Sequence, residues 1–162
     1  MRVTLDAAYP GIIDECCAAL EAIFPDKTAC RGRRRACNCV DISMWSKHWP
    51  CIFPQHGPGR KHLRPIRLGP WQEEIIAVNH ESFVRGLIHS DGTRIVATER
   101  KGSYVRRAPR YAFSNRSEEI KQLFCKSCDA LGVNWTRPSD RQIAIYRKKS
   151  VARLDEFVGP KR

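Results

Sequence analysis

The sequence predicts a mixed α+β fold in which helices alternate with antiparallel strand pairs, in two halves of one chain. Three observations carry that expectation. Segments of helical and strand period alternate along residues 71–162 in the order helix, strand, strand, helix, strand, strand, helix. The first 70 residues echo the later ones at a nearly constant offset. Cap and stop residues, Asp91-Gly92, Ser117 and Gly132, fall between the segments.

The first half opens with "VTLDA" as a strand, followed by "AYPGIIDECCAALEAIF" as a helix. Ile12, Cys16, Leu20 and Ile23 recur there at the spacing of Ile120, Phe124, Cys128 and Leu131. A basic segment, "CRGRRRACN", a strand, "CVDISMWS", and a short apolar segment, "KHWPCIFP", follow. Ser46, Phe53 and "GPGR" echo Ser150, Phe157 and "GPKR". Residues 1–70 are therefore expected to be a half-copy with no counterpart of residues 83–100, and residues 71–162 an intact one.

In the second half, residues 71–90 suit a helix broken near Asn79-His80, and Asp91-Gly92 ends it. "TRIVATER" (93–100) alternates as a strand does, "KGSYVRRAP" reads as a turn or connection, and "RYAFSN" (110–115) as the returning strand. Ser117 is an N-cap candidate, with Glu118 and Glu119 favourable to the helix dipole. Gly132 stops that helix. "VNWTRP" and "RQIAIYR" are two further strands joined by "SD", and "SVARLDEFV" is a last helix.

Composition narrows the function. Of 162 residues, 42% are hydrophobic, enough for a core, and 29 Lys and Arg against 17 Asp and Glu give a formal charge of +12. That excess points to a polyanionic partner. No apolar run approaches the roughly 20 residues of a membrane span, and "MRVTLDAAYPG" has no signal-peptide core, so a cytoplasmic protein is expected. The eight cysteines are then expected to be reduced. Cys37, Cys39, His48, Cys51, His56 and His62 are candidates for a structural zinc site, but their spacing fits no common zinc knuckle. Cys16, Cys125 and Cys128 fall on apolar helix faces, and buried thiols acting as small hydrophobes are the preferred reading.

One stretch is more specific. Val84-Arg85-Gly86-Leu87-Ile88-His89-Ser90-Asp91-Gly92 resembles the nine-residue motif of the LAGLIDADG homing endonucleases, with identity at Gly86, Leu87, Ile88, Asp91 and Gly92. The order of elements around it is similar to that family's, and "SKHWPCIFPQHGPGRKH" and "LDEFVGPKR" look like segments of bacterial open reading frames of that superfamily. The resemblance implies αββαββα units with antiparallel saddle-shaped sheets in a two-copy, pseudo-symmetric arrangement. It implies a sequence-specific double-stranded DNA endonuclease that hydrolyses phosphodiesters with Mg²⁺ or Mn²⁺ and serves intron or intein mobility. Members carry two motif helices, so residues 1–70 are expected to lack one. A homodimer through the 83–91 helix would supply it.

The resemblance also assigns residues. Gly86 and Ser90, four apart on one helix face, would form the helix interface. Asp91 would be the metal ligand and a catalytic residue, and Lys47 and Lys148, each following the last strand of its half, would assist near the scissile phosphate. His89 stands where the motif has Asp. Arg94, Arg100, Lys101, Arg106, Arg107 and Arg110 around the first hairpin, and Arg137, Arg141 and Arg147 around the second, are the expected DNA contacts, with Arg31 to Arg35 serving the first half. Most would touch phosphate and set affinity. The alternatives are a non-cleaving DNA-binding protein on the same fold, as a regulator or a degenerate remnant, and a basic RNA-binding module that assists splicing.

Overall fold

The computed structural model describes residues 1–55, 64–101 and 104–162, and for residues 99–101, 104 and 106 the backbone alone. The fold is mixed α+β with antiparallel sheets, in two compact units: Met1–His56 with Pro160–Arg162, and Gly57–Gly159.

The first unit runs β1 (Arg2–Asp6), α1 (Pro10–Ile23), β2 (Cys30–Arg33), β3 (Cys39–Ser43) and α2 (Trp49–Ile52), with sheet order β1-β3-β2. Val3 pairs with Ile42 and Leu5 with Val40, so these apolar side chains share the face that α1 covers. α1 buries Ile13, Cys17 and Leu20. Its inward stripe is thus displaced from the expected Ile12, Cys16 and Ile23, the last being 42% exposed. "CRGRRRACN" is not merely a basic connection, since Cys30–Arg33 pairs with β3 as an edge strand with all four residues exposed. Phe24 meets the Trp49 ring edge-on, and Trp49 stacks on Phe53.

The second unit runs α3 (Pro70–Ala77), α4 (His80–Asp91), β4 (Gly92–Lys101), β5 (Tyr104–Ser114), α5 (Glu118–Ala130), β6 (Thr136–Ser139), β7 (Gln142–Ile145) and α6 (Lys148–Asp155), with sheet order β4-β5-β7-β6. The expected connection "KGSYVRRAP" is largely strand: β5 starts at Tyr104, and the β4–β5 ladder is unbroken from Gly92↔Phe113 to Lys101↔Tyr104. β7 joins β5 only from Tyr111 to Ser114, so the rest of the hairpin projects as a two-stranded ribbon.

Val84 and Ile88 of α4, Tyr111 and Phe113 of β5, Phe124 and Cys128 of α5, Ile143 and Ile145 of β7, and Leu154 of α6 make one buried core on one sheet face. Phe113 and Phe124 stack at its centre, 4.4 Å apart. The caps of α5 explain its limits. Ser117 Oγ accepts the Ile120 N–H. At the other end Gly132, at φ +67°, lets Val133 N–H reach the Cys128 carbonyl (2.8 Å) and Gly132 N–H that of Asp129 (3.0 Å), a Schellman closure. The strand order β5-β7-β6 with its two helices repeats the order β1-β3-β2 of the first unit.

Candidate nucleic-acid interface

The site begins where α4 becomes β4 without a loop. Gly92 permits this: a Cβ there would lie 2.7 Å from Ile88 Cα and 2.9 Å from Ile88 O, atoms of the helix backbone. The helix therefore ends on Asp91 with its side chain exposed at the root of the ribbon.

The Asp91 carboxylate is held on one oxygen. Asn115 Nδ2 donates to Oδ2 at 3.2 Å. Ser90 Oγ lies 3.4 Å from the same oxygen but 3.0 Å from the Leu87 carbonyl, and its single proton goes to the nearer acceptor. Asn115 is fixed on both sides. Its Oδ1 accepts the Ser117 N–H at 2.8 Å, which turns Nδ2 towards Asp91, and its own N–H donates to the Arg141 carbonyl at 3.0 Å. The β6–β7 turn that carries Arg141 is anchored in turn. Buried Lys121 donates to the Asp140 carbonyl and pairs with Glu118 at 2.7 Å. Asn115 carries no motif signal, and the trace it leaves in the sequence is the Asn-x-Ser spacing of a turn entering a helix.

The other expected residues divide by the pleat. Partners directly opposite one another share a face. With Tyr111, Phe113, Ile143 and Ile145 under the helices, the opposite face of the sheet presents Thr93, Ile95, Arg110, Ala112, Gln142 and Ala144. Arg110 is the described arginine of the ribbon on that open face. Arg107, opposite Thr98, has the other parity and is exposed beyond the end of the core.

Arg94 is also on the helix side, in a two-pronged pair with Asp155 at 2.7 and 2.8 Å, and the Tyr111 hydroxyl donates to the same carboxylate at 2.6 Å. The guanidinium and then this hydroxyl hold the Asp155 carboxyl below its ordinary range, against the opposing effect of burial, while burial and that carboxylate push Tyr111 up. Arg137 pairs with Glu118 at 2.7 and 2.9 Å, and Arg137 with Lys121 brings the Glu118 carboxyl down to about 2. Arg94 and Arg137 thus already serve the fold. Arg147 donates to Asn134 Oδ1 at 3.1 Å, and Arg141 is exposed on its turn. The side chains of Arg100, Lys101 and Arg106 lie outside the described residues.

Gly86 and Ser90 are both exposed on α4, with nothing within 4 Å of a Cβ at Gly86, so this helix face is open. His89 points inward and is 9% exposed. Lys148 opens α6 beyond the end of β7 that is remote from Gln142 and Asn115, and Lys47 is exposed after β3 in the first unit. Among the described residues, no three of His, Cys, Asp or Glu gather as a metal-binding group, and His56 and His62 lie outside those residues. No described helix is long and apolar enough to cross a membrane.

No protein-family model matches the chain, and no curated protein matches it either.

Proposed function

We propose that the chain is a duplex-DNA-binding protein of the LAGLIDADG homing-endonuclease type, in which Asp91 serves metal-dependent phosphodiester hydrolysis. The observation that carries the reading is the Asp91 junction. An exposed carboxylate, held on one oxygen by a fixed amide, stands at the end of a helix that passes directly into the strand ribbon. The open sheet face beside it has the low relief of Thr93, Ala112 and Ala144, with Arg110 for phosphate, on a chain of net charge +12. A twisted antiparallel ribbon of this kind enters a major groove.

The donor set fits a magnesium ion in part. Mg²⁺ is commonly held by one or two carboxylates, water and substrate phosphates, and Asp91 supplies one such carboxylate, with Asn115 on Oδ2. Bound there, the ion would activate water and offset charge on the leaving oxygen. Asn115 keeps Asp91 in one rotamer, and Arg110 would hold the DNA backbone. A second carboxylate would come from a partner, through the open face of α4 at Gly86 and Ser90.

One observation favours the second reading, a non-cleaving DNA-binding protein: among the described residues Asp91 belongs to no group of three or more His, Cys, Asp or Glu side chains that could hold a metal. The two readings part in a plasmid assay. Supercoiled plasmid carrying the genomic neighbourhood of the gene is incubated with the protein in Mg²⁺ or Mn²⁺, beside Asp91→Asn. Metal-dependent nicking or linearisation lost in Asp91→Asn supports the nuclease. Tight binding without a cut strand supports the non-cleaving protein. Cutting that survives the substitution places the chemistry elsewhere.

A further inference from the structure

Each unit leaves a large aromatic side chain in solvent at the same place. In the first, the β1–β3 pairing continues one step past β3, with Met44 N–H donating to the Met1 carbonyl at 3.2 Å. Met44 is buried at 4% exposure, and the next residue, Trp45, is 80% exposed. In the second, β7 ends on Ile145, fully buried, and the next residue, Tyr146, is 54% exposed. Both aromatics follow the last strand, both alternate away from the core face, and both precede cations: Lys47 after Trp45, and Arg147, Lys148 and Lys149 after Tyr146. Arg2, opposite Ser43 in the β1–β3 ladder, adds a positive charge on the side of the first sheet that faces away from α1.

These segments are anchored. Ser46 is buried and its Oγ accepts the His48 N–H at 3.2 Å; Ser150 is buried and its Oγ accepts the Asn134 N–H at 2.9 Å. Each aromatic therefore projects from a fixed backbone. An indole is among the most apolar side chains a protein can bury, and leaving it in water forgoes that stabilisation. Trp49, buried, and Phe24, packed against it edge-on, show that the first unit has an aromatic core to receive one.

We infer that Trp45, with Tyr146 as its counterpart, is a stacking platform for an unpaired nucleobase, with the adjacent cations holding the flanking phosphates. Every base has a π-face, and a flat aromatic beside positive charge is the chemistry by which single-stranded nucleic acid is held without sequence preference. The inference rests on the reading of the chain as a DNA-binding protein and adds single-stranded DNA as a ligand of its own. Such a site would grip a strand once the duplex is locally opened.

The test measures the affinity of the full chain for two fluorescently labelled probes: a short oligothymidylate, which cannot pair, and a fully paired hairpin duplex. Removing one base–aromatic stack lowers affinity by about 5- to 150-fold. Trp45→Ala is expected to weaken oligothymidylate binding by at least the lower figure, with an unchanged salt slope and unchanged duplex affinity. Trp45→Phe should recover most of the loss. Tryptophan emission should be quenched on adding oligothymidylate to the parent, and much less in Trp45→Phe. Circular dichroism checks that the exposed substitution leaves the fold intact. Equal affinity of parent and Trp45→Ala for oligothymidylate overturns the inference alone, since duplex binding would still stand. Equal loss on both probes also overturns it, because the residue would then serve the duplex. Absence of binding to either probe at low salt overturns both this inference and the DNA reading beneath it.

Discussion

The two glycines of the α4 motif should respond oppositely to the same substitution. At Gly92 a methyl group would meet Ile88 Cα at 2.7 Å and Ile88 O at 2.9 Å. Ordinary contacts of carbon with carbon lie at about 3.5–4.0 Å, and both obstructing atoms belong to helix backbone. Relief requires α4 to shift against β4, which strains the packing of Val84 and Ile88, both essentially inaccessible. Overpacking of this kind costs about 1–3 kcal/mol. In a domain of this size each kilocalorie moves the midpoint by roughly 4–8 °C, so Gly92→Ala should melt about 10 °C below the parent.

At Gly86 a methyl group meets nothing within 4 Å, and the substitution removes a helix-interior glycine worth about 0.8–1 kcal/mol. Gly86→Ala should therefore melt several degrees above the parent. Thermal unfolding followed by circular dichroism at fixed protein concentration reads both, with sedimentation velocity reporting association. If Gly92→Ala melts with the parent, the close approach of strand and helix is wrong. If Gly86→Ala is destabilising, the α4 face is covered in solution. Loss of a dimer in the same variant would then identify the cover as a second copy.

In acid, Glu118 and Asp155 should both contribute to the loss of stability. Both carboxyls are depressed in the folded state by arginine partners, so their contribution is present above the unfolded values and is lost as pH falls through the folded ones. For Glu118 that window runs from about 4.3 in the unfolded chain down to about 2. Glu118→Gln should flatten the midpoint across that window. Asp155→Asn, read by the same melts, should flatten it below about pH 4. Asp91→Asn, at an exposed carboxylate, should leave the midpoint within a degree or two of the parent while changing any metal-dependent strand cutting.

Helix α5 was legible in the sequence because its signals are local: a serine N-cap, two glutamates in the first turn, helical spacing and a glycine stop all act within a few residues. The break between α3 and α4 was legible at Asn79-His80 for the same reason. The sequence pattern starts β5 at Arg110, six residues after the strand begins at Tyr104. Its outer part contains Pro109 and a run of arginines and, among the described residues, no buried side chain to mark a face. Proline is tolerated there because that part of β5 has a neighbour on one side only. β2 escaped for a related reason: it is held by its ladder with β3 and by Arg31 pairing with Asp14 at 2.7 Å, not by apolar alternation.

Within the candidate site, Asp91 and Gly92 stood out as a motif. Asn115 did not, because its role depends on the returning strand arriving beside the end of α4. The use of Arg94 and Arg137 as structural ion pairs was likewise invisible, since Asp155 lies 61 residues and Glu118 19 residues away along the chain.

The proposed grip on duplex DNA runs through the open face of the second sheet. The most direct measurement is the affinity for a labelled duplex as a function of salt, for the parent and for Arg110→Ala. Phosphate neutralisation releases counterions, so log K should fall linearly with log salt, by about 0.9 for each phosphate contacted. Loss of one phosphate contact at Arg110 should reduce that slope by about 1 and weaken binding on all sequences alike. A parent that binds no duplex at low salt would contradict the account, and an Arg110→Ala variant with the parent's slope would contradict the placement of DNA on that face.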